Sequence, residues 1–233
     1  MKEYFSKLAF SDEQLDALKQ IYATHFSMCL PDSGAVSGSV ALWGEDAKFP
    51  EDEEARIARY GRTPGFVFEN AHKDPLWDAF ADLIPYMASS AGLTTMPPGA
   101  VFPIHLDRKK RPHCIYFPIS GCTLSGQSAY YEVDTSKSPP SPGYGHPLRE
   151  GMIIKRTLGR FAISDNAYLM NVHEWHNVVN YSNQRRIAFG WNFKSTDMSY
   201  QDCYDVLERL GYIAEDDSLK INPKIEVAYD YAK

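Results

Sequence analysis

Two hydrophobic rhythms divide the chain. After Ser11 and Gln14, which are spaced as a capping box with Asp12 and Glu13 in the first turn, Leu15, Leu18 and Tyr22 recur at helical spacing with Ile21 beside them. That pattern predicts an amphipathic helix over 11–26. A second helix is predicted over 74–87, with Trp77, Phe80, Leu83 and Ile84 as its apolar face. Between them, 30–66 is punctuated by Gly and Pro, carries the acidic run Glu51–Glu54, and reads as irregular with one short helix near 52–59.

From about residue 92 the period shortens. Short apolar or alternating runs follow one another at Val101–His105, His113–Ile119, Ser128–Val133, Met152–Arg156, Arg160–Ser164, Ala167–Asn171, His176–Asn180 and Ile187–Phe193. Pro, Gly, Asn, Asp and Ser separate them, the pattern of a sandwich or barrel. Ser136–Gly145 is too rich in Pro, Gly and Ser for regular structure and predicts a long loop between strands. A last helix fits Ser199–Leu210, where Cys203, Val206, Leu207 and Leu210 share a face and Gly211 supplies the stop. The expected fold is therefore mainly β with flanking helices, built on an eight-strand jelly-roll core (a double-stranded β-helix). One domain over 1–233 accommodates it: a mostly helical or irregular part at 1–91, the core at 92–194, and a closing helix and tail at 195–233.

Composition changes this picture little. The 233 residues are 44% hydrophobic and 23% charged, ordinary for a globular chain. A formal net charge of -6 argues against nucleic acid or an anionic membrane as the main partner. No apolar run reaches the roughly 18 residues of a membrane helix, and the N-terminus lacks a signal-peptide stretch. The four cysteines (Cys29, Cys114, Cys122 and Cys203) form no CxxC pair and read as reduced thiols of a cytoplasmic protein.

The candidate chemistry begins in Pro98–Asp107, PGAVFPIHLD. Residues two apart on a strand face the same way, so His105 and Asp107 can bind one metal together. A third ligand must come from elsewhere, and 171–193 holds the best candidates. Two imidazoles and one carboxylate form the facial triad of non-haem iron(II) oxygenases, with open positions left for substrates. Taken alone, HxD is a weak motif, and His105 reads equally as a loop or core histidine.

Downstream, WHNVVNYSNQRRIAFGWNF places Val178, Asn180 and Ser182 after His176, then Arg186 ten residues on, then an alternating strand ending at Phe193. With the HxD segment, this resembles the 2-oxoglutarate/Fe(II)-dependent dioxygenase superfamily and its pattern HxD…H…R. The stretch 114–132 is similar to aspartyl/asparaginyl hydroxylase-like and phage-type members. The resemblance covers roughly residues 92–194. It implies that His105, Asp107 and His176 bind Fe(II), and that Arg186 pairs with the distal carboxylate of the co-substrate 2-oxoglutarate through a bidentate guanidinium fork. On the same spacing, His176 is preferred to His173 and Arg186 to Arg185, which would face outward into solvent.

One position departs from the family. A serine two residues after the arginine is common there, and this chain has Ala188. Tyr116 is the expected replacement hydroxyl, beside its plain reading as a core tyrosine. The run Arg108–Arg111 reads as a solvated turn, or as a positive rim that attracts an anionic substrate. Because Asp107 holds the carboxylate position, the resemblance implies a hydroxylase rather than a halogenase. The expected substrate is a small molecule or a protein side chain, anionic if the basic rim is functional, with demethylation of nucleic acid the least favoured. The alternatives are a cupin-type metal enzyme that does not use 2-oxoglutarate, and a non-catalytic jelly roll. His25, His72, His113 and His146 are read as structural.

Overall fold

A computed structural model describes residues 4–27, 36–41, 73–107, 112–138 and 146–215. The predicted short helix near 52–59, most of the 136–145 loop, the run Arg108–Arg111 and His72 lie outside the described residues.

Two antiparallel sheets face each other in a jelly roll. The strands are β1 (Phe5–Lys7), β2 (Val36–Ala41), β3 (Met87–Met96), β4 (Val101–Leu106), β5 (Cys114–Ser120) and β6 (Gly126–Asp134), followed by β7 (His146–Pro147), β8 (Ile153–Ala162), β9 (Tyr168–Met170), β10 (His176–Asn180) and β11 (Arg186–Phe193). One sheet has the order β1-β9-β5-β11-β3-β2, the other β7-β4-β10-β6-β8.

Alternation along each strand sorts the side chains. Ile115 and Phe117 on β5 and Phe189 and Trp191 on β11 join the large apolar cluster beneath the helices. Cys114 joins Phe5, Tyr130, Phe161 and Tyr168 in a second cluster between the sheets. Ile104, Ala129, Tyr131 and Val179 belong to a third, on the opposite face of the smaller sheet. The inward positions left over surround a cavity.

The helix at 11–26 forms as its periodicity predicts, with a widened last turn. Helix α1 (Asp12–Ile21) starts on the capping box, with Ser11 Oγ accepting from the Gln14 amide and Gln14 Oε1 from the Ser11 amide. It continues as a π-helical segment over Tyr22–Phe26, which carries Phe26 into the core against Phe189. Helix α2 (Tyr200–Arg209) is capped by Ser199 and buries Cys203, Val206 and Leu207; Gly211 follows at φ 80°, where a side chain would be strained.

Four expectations need correction. The single helix over 74–87 is two 3₁₀ segments, Pro75–Phe80 and Ile84–Tyr86. Pro85 has no amide to continue a helix and disfavours helical geometry at the residue before it. Trp77, Phe80 and Leu83 still bury, as the apolar face implied.

The β core does not begin at residue 92. β3 starts at Met87, and β1 and β2 from the N-terminal part complete the larger sheet. β3 reads MASSAGLTTM, too small and mixed to signal a strand; its extended form is set by β11 and β2 on either side.

The two strands expected at 152–164 are one. Gly159 does not break β8, because a Cβ there would stand 2.9 Å from Phe5 Cε1; the glycine makes room for that ring. Eleven strands are present among the described residues rather than eight. No helix among those residues is long and apolar enough to cross a membrane.

Candidate metal centre and the cavity behind it

His105 ends β4 and Asp107 follows it, just past the strand, while His176 opens β10 directly opposite His105 in register. Strand pairing therefore brings the two imidazoles side by side, with ring centroids 4.3 Å apart. Asp107 Oδ1 lies 3.8 Å from His105 Nε2, and Asp107 Oδ2 lies 3.9 Å from His176 Nε2. All three donor atoms fall within 4.8 Å of one another.

The far ring nitrogens are fixed by the backbone. His105 Nδ1 is 2.8 Å from the Pro103 carbonyl and His176 Nδ1 is 2.8 Å from the Glu174 carbonyl. A carbonyl only accepts, so each Nδ1 carries a proton and each Nε2 is the nitrogen turned toward Asp107. That is the orientation a metal-binding imidazole needs. Two imidazoles and a carboxylate around one point suit a divalent ion of borderline softness.

Arg186 starts β11 in the opposite sheet and is 2% exposed. Its Nη1 donates weakly to Met96 Sδ at 3.9 Å, and its Nε has no partner among the described residues. No carboxylate of the described residues pairs with it. Gly126 gives its side chain passage, since a Cβ there would lie 3.1 Å from Arg186 Cδ.

Arg186 and the triad line one cavity of about 290 Å³. Thr94 and Tyr116 stand on the Arg186 side, and Ser128 and Val178 on the side of the smaller sheet. Phe102, Pro103, Ile163 and Met170 supply apolar wall.

The remaining sequence candidates separate. His173 is not in the triad; its ring packs 4.5 Å from His113, which also meets Tyr200 edge-on at 5.8 Å. Arg185 faces away from the cavity, as alternation requires. It is not simply solvated, however: it is half-buried, and Nη1 donates to Thr95 Oγ1 at 3.2 Å. Tyr116 lines the cavity, with its ring over Gly190, where a Cβ would come within 2.8 Å of Tyr116 Cε1. His25 pairs with Asp74 at 2.8 Å, and the His146 backbone pairs with Leu106.

Sequence reasoning passed over three residues at the site. Thr94 and Ser128 line the cavity as inward positions of strands that carry no motif. Asn180, read only as part of the downstream pattern, is fully buried. Its Nδ2 donates to the carbonyls of Met96 and Gln184 at 2.8 Å each and of Pro97 at 3.2 Å, and its Oδ1 accepts from Ser182 Oγ at 2.7 Å. It thereby ties the turn after β3 to the turn that delivers Arg186. Asn180→Ala should destabilise the protein by about 2–3 kcal/mol, because it strands buried carbonyls. Thermal unfolding checks this, and a change under about 0.5 kcal/mol, the size of an ordinary surface substitution, would contradict it.

Burial sets the electrostatics around the triad. Burial, reinforced by Tyr200 and with a contribution from Asp107, pushes the Tyr130 phenol well up, so it stays neutral beside His176. Burial, helped by the neighbouring His173, pulls His113 down to about 4. A depressed histidine costs stability as pH falls. The unfolded chain takes up a proton near 6.5, and the folded chain resists until about 4. Stability should therefore drop by roughly 3 kcal/mol across pH 6.5 to 4 through this group alone. His113→Gln should flatten that part of the curve in chemical denaturation; an unchanged slope would refute the assignment.

No protein-family model matches the sequence, and no curated protein matches it. Among solved structures, the chain is similar to a Pseudomonas putida prolyl-4-hydroxylase, at 15% identity and TM-score 0.42, over 83% of this chain and 93% of that one. It is also similar to Bacillus subtilis oxalate decarboxylase, at 14% identity and TM-score 0.29, over 47% of this chain and 22% of that one. A recombinant oxalate oxidase in complex with glycolate matches at 10% identity and TM-score 0.32, over 72% and 54%.

Proposed function

We propose that this protein is an Fe(II)- and 2-oxoglutarate-dependent oxygenase acting as a hydroxylase. His105, Asp107 and His176 hold the iron, and Arg186 receives the distal carboxylate of 2-oxoglutarate. The observation that carries the reading is Arg186: a guanidinium 2% exposed, without an ion-pair partner among the described residues, on the same cavity as a His-Asp-His cluster. Burying an unpaired guanidinium costs several kcal/mol, so the site favours an anion there. A metal enzyme that did not use such an anion would have no use for this arginine.

When bound, iron with 2-oxoglutarate would supply oxidation by dioxygen, in which substrate R–H, 2-oxoglutarate and O₂ give R–OH, succinate and CO₂. The chain's own part is placement. The Pro103 and Glu174 carbonyls hold the imidazoles in the ligating orientation. The apolar wall of Phe102, Ile163, Met170 and Val178 limits water near the reacting carbon. The substrate is proposed to be a small molecule or a protein side chain, with the anionic class tested first. Its compartment is proposed to be the reducing cytoplasm, where Cys114, Cys122 and Cys203 persist as free thiols.

The test is succinate release by the purified chain with Fe(II), 2-oxoglutarate and oxygen, presented with amino acids, peptides and small acids. Succinate formation that requires all three components supports the reading. Bound metal without any 2-oxoglutarate consumption would transfer it to the cupin-type class.

A further inference from the structure

The arginine accounts for only part of the polar surface that faces the cavity, and the serine common two residues further on is Ala188 here. In the larger sheet, Ala188 pairs in register with Thr94 of β3, and Arg186 with Met96. Thr94 is 7% exposed, lines the cavity, and sits one same-face step from Arg186. Tyr116 pairs with Gly190, two such steps away, or about 13 Å along the strand direction.

From the facing sheet, β6 directs Gly126, Ser128 and Tyr130 inward in succession. Gly126 lies under the Arg186 stem, and Tyr130 pairs with His176. Ser128 stands midway between the arginine and the metal ligands. It is 1% exposed, lines the cavity, and its hydroxyl has no partner among the described residues.

Two hydroxyl side chains from opposite sheets therefore line the same cavity as one buried guanidinium. All three side chains can donate to the same small anion, and an orphaned buried hydroxyl is costly unless something accepts from it. We propose that Thr94 and Ser128 complete the carboxylate seat of Arg186, so that the hydroxyl missing at Ala188 comes from the neighbouring strand and from across the cavity. This rests on the oxygenase reading above and assigns its co-substrate contacts to residues outside the HxD…H…R pattern. The acidic group on the cavity lining, Asp107, lies with the histidines.

The experiment is calorimetric titration of the Mn(II)-loaded full chain without oxygen, so that binding is read apart from turnover. The two ligands are 2-oxoglutarate and 2-oxopentanoate, a 2-oxo acid of the same length without the distal carboxylate. Ser128→Ala and Thr94→Val should each weaken 2-oxoglutarate roughly 10- to 100-fold, the usual worth of a hydrogen bond to a charged group. They should leave 2-oxopentanoate unchanged, while Thr94→Ser retains near wild-type affinity. In an Arg186→Ala background, Ser128→Ala should add little, because the carboxylate is no longer seated there.

Wild-type affinity in both hydroxyl variants overturns the proposal while the oxygenase reading survives. Equal weakening of both acids overturns it too, since that marks a structural role. A wild-type chain that takes up no 2-oxoglutarate overturns both.

Discussion

Arg186→Ala is expected to weaken 2-oxoglutarate binding at least about thirtyfold while metal uptake stays close to wild type. Removing one partner of a desolvated charge pair typically costs about 2–5 kcal/mol. The opposite sign is expected without ligand. Arg186 is buried against Met96 Sδ and Gly126 with no ion-pair partner among the described residues. Truncation removes an uncompensated charge from the interior, so the melting temperature of the unliganded protein should hold or rise. The stabilisation that 2-oxoglutarate adds to the metal-loaded wild type should vanish. Arg186→Lys should fall between, because an ammonium cannot form the planar two-point contact. Melting curves with and without metal and 2-oxoglutarate read all three. A ligand-induced shift that survives in Arg186→Ala would refute its role as the anion site.

The second large effect concerns the triad. Asp107→Ala is expected to abolish stable metal binding, by more than the 10- to 100-fold that losing a mere supporting group costs. Asp107 is the carboxylate that faces both imidazoles, at 3.8 and 3.9 Å, and without it only two imidazole ligands remain. His176→Ala should act similarly, whereas His173→Ala should leave metal affinity unchanged, since that ring packs on His113 instead. Metal content after anaerobic purification with Fe(II), alongside Mn(II) titration, measures this. Stoichiometric metal in Asp107→Ala would remove the cluster from consideration. Metal loss in His173→Ala alone would mean that the wrong histidine was chosen.

Much of the site was legible because its signals are local. His105 and Asp107 carry their relation in a two-residue spacing, and His176 and Arg186 stand ten residues apart on consecutive strands that lie in opposite sheets. The capping box at Ser11 was equally readable, since a cap depends on a residue and the amide three positions on. The apolar face of Trp77, Phe80 and Leu83 was right even where the helix type was not. Burial follows side-chain chemistry, while the turn geometry was decided by Pro85.

The chain by itself determined the alternating strands, the helical termini and the residues able to ligate a metal. Those properties depend on side-chain chemistry and on periods of two or 3.6 residues. Tertiary structure decided what non-local pairing decides. β3 is a strand because β11 and β2 hold it, although its own sequence is too small and polar to declare it. β8 runs unbroken because Gly159 receives a ring from Phe5, more than 150 positions away. Arg185 is tied to Thr95 and His173 to His113 by contacts between segments far apart in the sequence, which no spacing along the chain encodes. Thr94 and Ser128 became visible only once register set one beside Ala188 and cavity shape left the other's hydroxyl facing inward without a partner. A hydroxyl on a strand carries no signal of its own; its chemistry comes from what the opposite sheet places within reach.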